Sequence, residues 1–221
     1  MRHFAVELEE LNKKLLEMAG LVESAIHRSI RSLVEENQEL ADQVLRDERV
    51  IDFMEMEIDG IATRLLALNQ PVAKDLRLLT SALKISADLE RIGDLAQHIA
   101  KRSISLMRHS VLKPTANIPK IASLVELMLS RSLEAFINSD AELAYGVLLS
   151  DDEVDNLRDE VYLDLLAKMQ RDPSVVPAAM ELIFATRNLE RIGDHATNIA
   201  EDVIFLVKAI DVRHRPQESA N

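Results

Sequence analysis

The hexapeptide Leu89-Glu90-Arg91-Ile92-Gly93-Asp94 recurs unchanged as Leu189-Glu190-Arg191-Ile192-Gly193-Asp194. The register around it repeats as well. An apolar stripe at Leu78, Ala82, Ile85, Leu89, Ile92, Ala96 and Ile99 has its counterpart at Ala178, Leu182, Ala185, Leu189, Ile192, Ala196 and Ile199. Steps of three and four place each stripe on one helical face. Two halves sharing such a stripe are an internal repeat, and a unit repeated twice must fold twice in much the same way.

Breakers divide each half into three segments. Glu35 to Glu39 and Asn69-Gln70-Pro71 interrupt the first half, while Asn138-Ser139-Asp140 and Arg171-Asp172-Pro173 interrupt the second. Pro114 and Pro119 mark a linker between them, because proline is disfavoured inside helices and tolerated in their first turn. In the second segment Val44, Ile51, Met54, Ile58, Ile61, Leu65 and Leu68 form a bundle seam. With only 3% aromatic residues and five glycines, the composition suits long helices rather than a β-sandwich. The expected fold is all-α: a first three-helix bundle over residues 1–112, a linker over 113–119, a second bundle over 120–212 and a frayed tail over 213–221, with six long helices in all.

Charge and chemistry narrow the function. The chain carries 38 acidic and 26 basic residues, a net charge of −12, which opposes binding to a nucleic-acid backbone. It has no cysteine, which excludes disulfides, thiolate metal sites and a cysteine nucleophile. The longest run without Asp, Glu, Lys or Arg is the nine residues from Leu65 to Ala73, too short to span a bilayer. No signal-peptide core is apparent at the N-terminus, so a reducing cytoplasmic setting is expected.

The polar residues of the hexapeptide are what shared ancestry of the cores leaves unexplained. Glu90 and Asp94 are one helical turn apart, as are Glu190 and Asp194, and like charges at that spacing destabilise a helix unless a cation joins them. The intervening glycine costs about 1 kcal/mol relative to alanine. Two penalties at one place are a mark of function. A second acidic pair lies upstream in each half, Glu48 with Asp52 and Asp151 with Asp155. Folding each hairpin at its turn brings the pairs level. The expectation is two surface sites of hard oxygen ligands, suited to magnesium, calcium, manganese, iron or zinc. Arg91 and Arg191 are candidates for neutralising the carboxylates, and His98, one turn past Asp94, is a possible further ligand. His195 adjoins Asp194 but points about 100° away.

Other readings stay open at this point. An acidic stripe opposite an apolar one is ordinarily a solvated face, and the chain would then be a metal-free helical adaptor. A carboxylate-bridged multinuclear metal enzyme is the catalytic alternative. No histidine follows a glutamate by three residues, as di-iron bundles require, and there is no nucleophile elbow or phosphate-binding loop.

In the doubled Leu-Glu-Arg-Ile-Gly-Asp, in the acidic pairs beginning at residues 48, 90, 151 and 190, and in the Asn-Gln-Pro turn leading to Asp75-Leu76-Arg77, the sequence resembles the PhoU family of phosphate-uptake regulators. The resemblance covers nearly the whole chain. It implies two three-helix bundles related by a pseudo-twofold axis. It also implies metal clusters, most often of iron, with Glu48, Asp52, Glu90 and Asp94 holding one and Asp151, Asp155, Glu190 and Asp194 the other. Departures from internal symmetry at Glu48 against Asp151, Asp88 against Asn188, His98 against Asn198 and Lys101 against Glu201 suggest that the two sites differ. The family resemblance further implies a non-enzymatic, cytoplasmic homodimer that regulates the phosphate-starvation response negatively. Its partners would be the ATPase subunit of the phosphate ABC transporter and a sensor histidine kinase, with membrane association only through those partners.

Overall fold

A computed structural model describes residues 2–109 and 112–213. The chain runs α1 (Arg2–Glu35), α2 (Gln38–Asn69), α3 (Lys74–Leu106), α4 (Asn117–Asn138), α5 (Ala141–Leu148), α6 (Asp151–Arg171) and α7 (Val176–Lys208), with single 3-10 turns at Met107–His109 and Pro173–Val175. The described residues contain no strand. The fold is all-α, two three-helix bundles in tandem, as the repeat predicts.

Six rods are present, but the fifth is made of two segments, α5 and α6, where the sequence reading expects one long helix. The interruption falls at Leu149-Ser150, where the Ser150 amide donates to the Val147 carbonyl in a tight turn. Asp151, Asp152 and Glu153 open the next helix, and acidic side chains in a first turn favour a fresh helix N-terminus.

The reversals that end the first rod of each repeat match each other. Glu36 and Ser139 both adopt left-handed backbone, with φ of 55° and 51°. The amide that follows each one donates back into the helix, Asn37 to the Ser32 carbonyl and Asp140 to the Ala135 carbonyl. The Asn37 and Asp140 side chains then cap α2 and α5 by accepting amide hydrogen bonds from the first turn. Asp172 does the same for the turn into α7. α4 begins at Asn117, so Pro119 sits in its first turn.

Within the first repeat, Arg28 pairs with Asp47 at 2.7 Å and Lys14 with Glu57 at 2.9 Å, which fixes α1 antiparallel to α2. The repeats join chiefly through α3 and α7. Arg77 donates to the Leu206 carbonyl, Lys84 pairs with Asp202, and Arg102 with Glu181, so these helices also run antiparallel. Every residue of the second-repeat stripe is fully buried, as is the first-repeat stripe apart from Leu78, which is half-buried. Leu68, placed in the α2 seam by periodicity, is instead 73% exposed. It lies in the last turn before the reversal at Gln70, beyond the reach of the packed helices. Of the tail expected to fray, residues 214–221 lie outside the described residues. No described helix is long and apolar enough to cross a membrane.

Candidate metal centres

Each copy of the hexapeptide sits mid-helix, with Leu89, Ile92, Gly93 and their counterparts Leu189, Ile192 and Gly193 buried. The glycines allow the second rod to approach. A Cβ on Gly93 would lie 3.1 Å from Ile51 Cδ1, and one on Gly193 would lie 3.7 Å from Val154 Cγ1. Ile51 and Val154 each precede an acidic ligand candidate, Asp52 or Asp155. Seating the isoleucine or valine on the glycine therefore carries those carboxylates toward the motif.

In the first repeat Glu90 and Asp94 are half-buried. Burial pushes the Glu90 carboxyl above its ordinary range, and the nearby charges of Asp94, Asp52 and Glu55 push it further, while Arg91 opposes them. Glu55, raised by its own burial and by Asp59 and Asp52, belongs to this cluster although the spacing argument did not select it. Glu48 lies half-buried one turn before Asp52 on α2. Arg91 is exposed and lies 3.4 Å from Glu90 and 3.6 Å from Asp94, a loose neutralising contact. His98 is exposed.

The equivalent carboxylates of the second repeat also lie within electrostatic reach of one another. The Asp151 carboxyl is raised to about 6, first by burial and then by the charges of Asp194, Asp155, Asp152 and Glu190. Glu190 is raised by burial and by Asp194. Asp194, exposed at its edge, is raised by the protein packed around it and by Asp155, with His195 and Arg191 pulling the other way. Here, however, a cation is built in. Arg158 donates to Asp155 at 2.7 Å and to Glu190 at 3.0 Å through Nη1, and to Asp159 through Nε and Nη2. Sequence reasoning missed Arg158. Aligning the second rods on Asp52 and Asp155 sets Arg158 against Glu55, and that reversal of charge was the available signal.

Among the described residues, no three carboxylate or imidazole side chains converge closely enough to hold a metal ion as they stand. The two sites differ in what they offer one. The first presents carboxylates with only the loosely held Arg91 nearby, a donor set that fits a hard cation. In the second, the Arg158 guanidinium lies between Asp155 and Glu190 and would compete with a cation for those two carboxylates.

His195 does not join its neighbour Asp194 in a ligand set. Its Nδ1 lies 2.7 Å from Asp88 Oδ1 on α3, linking the repeats, and Asn198 donates to the same oxygen at 3.4 Å. Close by, a groove of about 400 Å³ between α3 and α7 is lined by Lys84, Asp88, Arg91, Asn198, Asp202 and Arg213. Its cations are matched by carboxylates, Lys84 by Asp202, Arg91 by Glu90 and Asp94, and Arg213 by Asp211.

A duplicated helical bundle with mid-helix acidic motifs on its flanks defines the class: a tandem-repeat all-α protein. The model of the PhoU domain matches residues 15–103 and again 118–203, and the chain belongs to the PhoU family. It is 41% identical over 214 residues to the phosphate-specific transport system accessory protein PhoU homolog of Pseudomonas aeruginosa, covering 96% of this chain and 88% of that one. It is 40% identical to the homolog of the same name from Aquifex aeolicus, covering 95% of each chain. The crystal structure of PhoU from Pseudomonas aeruginosa superposes with a TM-score of 0.91 at 40% identity, covering 94% of this chain and 100% of that one. The phosphate transport system regulatory protein PhoU from Streptococcus pneumoniae superposes with a TM-score of 0.88 at 26% identity, covering 95% and 99%.

Proposed function

We propose that this protein is a non-enzymatic accessory regulator of phosphate uptake, a helical adaptor that docks on the ATPase subunit of a phosphate ABC transporter and on a sensor histidine kinase. The carrying observation is similarity at 35–41% identity over at least 93% of the chain to proteins named as phosphate-specific transport system accessory proteins. In this reading the protein works in the cytoplasm as a homodimer, reaches the membrane through its partners and restrains the phosphate-starvation response.

A hard cation, iron first, with manganese, magnesium and zinc as alternatives, would be held by Glu48, Asp52, Glu90 and Asp94. Its contribution would be positive charge that relieves repulsion among these carboxylates and stiffens α2 against α3. The chain's own residues do the rest: Gly93 and Ile51 set the spacing of the two helices, and Arg91 tempers the charge from outside.

The test is complementation. A host lacking its own family member should regain low phosphatase expression and controlled phosphate uptake in phosphate-rich medium when given this chain, and the purified chain should retain the ATPase subunit and the kinase on a column. A chain that binds neither partner, with or without metal and phosphate, and leaves the host derepressed defeats the proposal. Metal content is read separately by elemental analysis of wild type against Glu90→Gln/Asp94→Asn.

A further inference from the structure

The first rods of the two repeats share one register. Glu36 matches Ser139 at the left-handed reversal, and Ser29 matches Ser132, each buried and donating to the carbonyl three residues before it. Carried back along α1, that register sets Asn12 against Thr115. Among the described residues, Asn12 Oδ1 and Thr115 Oγ1 are the buried side-chain oxygens that have no hydrogen-bond partner. Leaving a buried oxygen unpaired is destabilising. Its recurrence at one repeat position marks a feature of the architecture rather than a packing accident.

Asn12 lines a cavity of about 210 Å³ where α1, α3, α4 and α7 meet. The walls are apolar, made by Leu16, Leu78, Phe136, Ile137 and Leu206, while Lys74 and Ser139 stand exposed in the lining. Lys74 makes no ion pair with the described residues. Pockets for drug-sized molecules begin at about 300 Å³, so this one suits a single large side chain. That side chain must be apolar, must bring a donor to Asn12 and must bring no acceptor that apolar walls would leave unpaired. Indole meets all three conditions, with one N–H donor and no acceptor. We propose that the cavity receives a tryptophan of a partner protein, its indole N–H donating to Asn12 Oδ1 and an acidic residue beside it in the partner pairing with Lys74. This chain has no tryptophan, so neither a second copy nor its own tail supplies the anchor. Tryptophan is also enriched among the residues that dominate the energetics of protein interfaces.

The inference stands apart from the phosphate-transport reading, because its test uses neither transporter nor kinase. The probe is the peptide acetyl-Ala-Trp-Glu-Ala-amide. Since the chain has no tryptophan, burial of the probe is read directly as a blue shift of its fluorescence when the full chain is added. A peptide carrying 1-methyltryptophan, which lacks the N–H, should bind about fivefold more weakly. Asn12→Leu should weaken the parent peptide to the same degree and leave the methylated one unaffected, which a purely structural disturbance would not do. Because this variant removes an unpaired buried oxygen, it should melt no lower than wild type. Lys74→Gln should weaken the parent peptide about threefold but not its Trp-Gln analogue. Thr115→Val, at the equivalent position of the other repeat, should leave binding unaltered. The proposal is overturned if the peptide shows no shift, which gives the cavity to water, if the methylated peptide binds as tightly as the parent, if Asn12→Leu weakens both peptides alike, or if Thr115→Val weakens binding as much as Asn12→Leu. Tighter binding of indole-3-propionate than of the peptide would overturn it in favour of a free small molecule.

Discussion

His195 Nδ1 lies 2.7 Å from Asp88 Oδ1, and this contact ties the third rod of one repeat to the third rod of the other. The two side chains are only 18% and 16% exposed, so neither has ready access to replacement by water. Asp88→Ala and His195→Ala should each cost about 1 kcal/mol, and the double variant should cost clearly less than their sum. Urea denaturation of the four proteins measures this, and strictly additive losses would show that the contact contributes nothing.

The identical hexapeptides should respond differently to the same substitution. At Gly193 a new Cβ meets Val125, Val154 and Met128 at 3.5–3.9 Å, ordinary contact distances, so Gly193→Ala should add up to about 1 kcal/mol through helix propensity. At Gly93 the new Cβ meets Ile51 at 3.1 and 3.2 Å, and Ile51 is buried with little room to yield. Crowding there should outweigh propensity, so that Gly93→Ala lowers stability by about 1 kcal/mol. Equal thermal midpoints for the two variants would refute this reading of the helix spacing.

Asp151 has its carboxyl raised from 3.8 to about 6 in the folded protein. A carboxyl raised by folding stabilises only while protonated. Its contribution is fully present below about pH 3.8 and is lost as the pH rises through about 6. Asp151→Asn should therefore be more stable than wild type at pH 7.5, by about 1 kcal/mol once solvent screening of this half-buried group is allowed for, and equal to it near pH 4. Thermal unfolding at the two pH values decides, and a pH-independent difference would contradict it.

Arg158 should set the metal response of the second repeat. In wild type, manganese should raise the thermal midpoint through the first site alone, so that Glu90→Gln/Asp94→Asn abolishes the rise. Arg158→Gln vacates the space between Asp155 and Glu190 and should create a second manganese-dependent rise, which Glu190→Gln then removes. A rise in wild type that depends on Glu190 would show that the guanidinium yields to the ion.

Much of this molecule was legible in one dimension. The seven-residue stripes of the third rods needed only helical period to be read, and their residues are buried apart from half-buried Leu78. Asn37, Asp140 and Asp172 cap helices because short polar side chains reach their own backbone within a few residues, a local property. Period alone misled at Leu68, because a helix can continue its pattern past the point where its neighbours end. It also missed the break at Leu149-Ser150, where the acidic run that follows starts a new helix.

The duplication, the helical rods, the buried faces and the residues on the acidic flanks all follow from spacing along one helix and are written in the order of the amino acids. Which charge meets which emerges only when the rods pack: Arg158 between Asp155 and Glu190, His195 on Asp88, and Lys84 on Asp202. Electrostatic partners are set by distances of a few ångströms between helices far apart in the chain. Those distances depend on the packing at Gly93 and Gly193 and on the antiparallel crossing of α3 with α7, so two identical motifs can carry opposite neighbours.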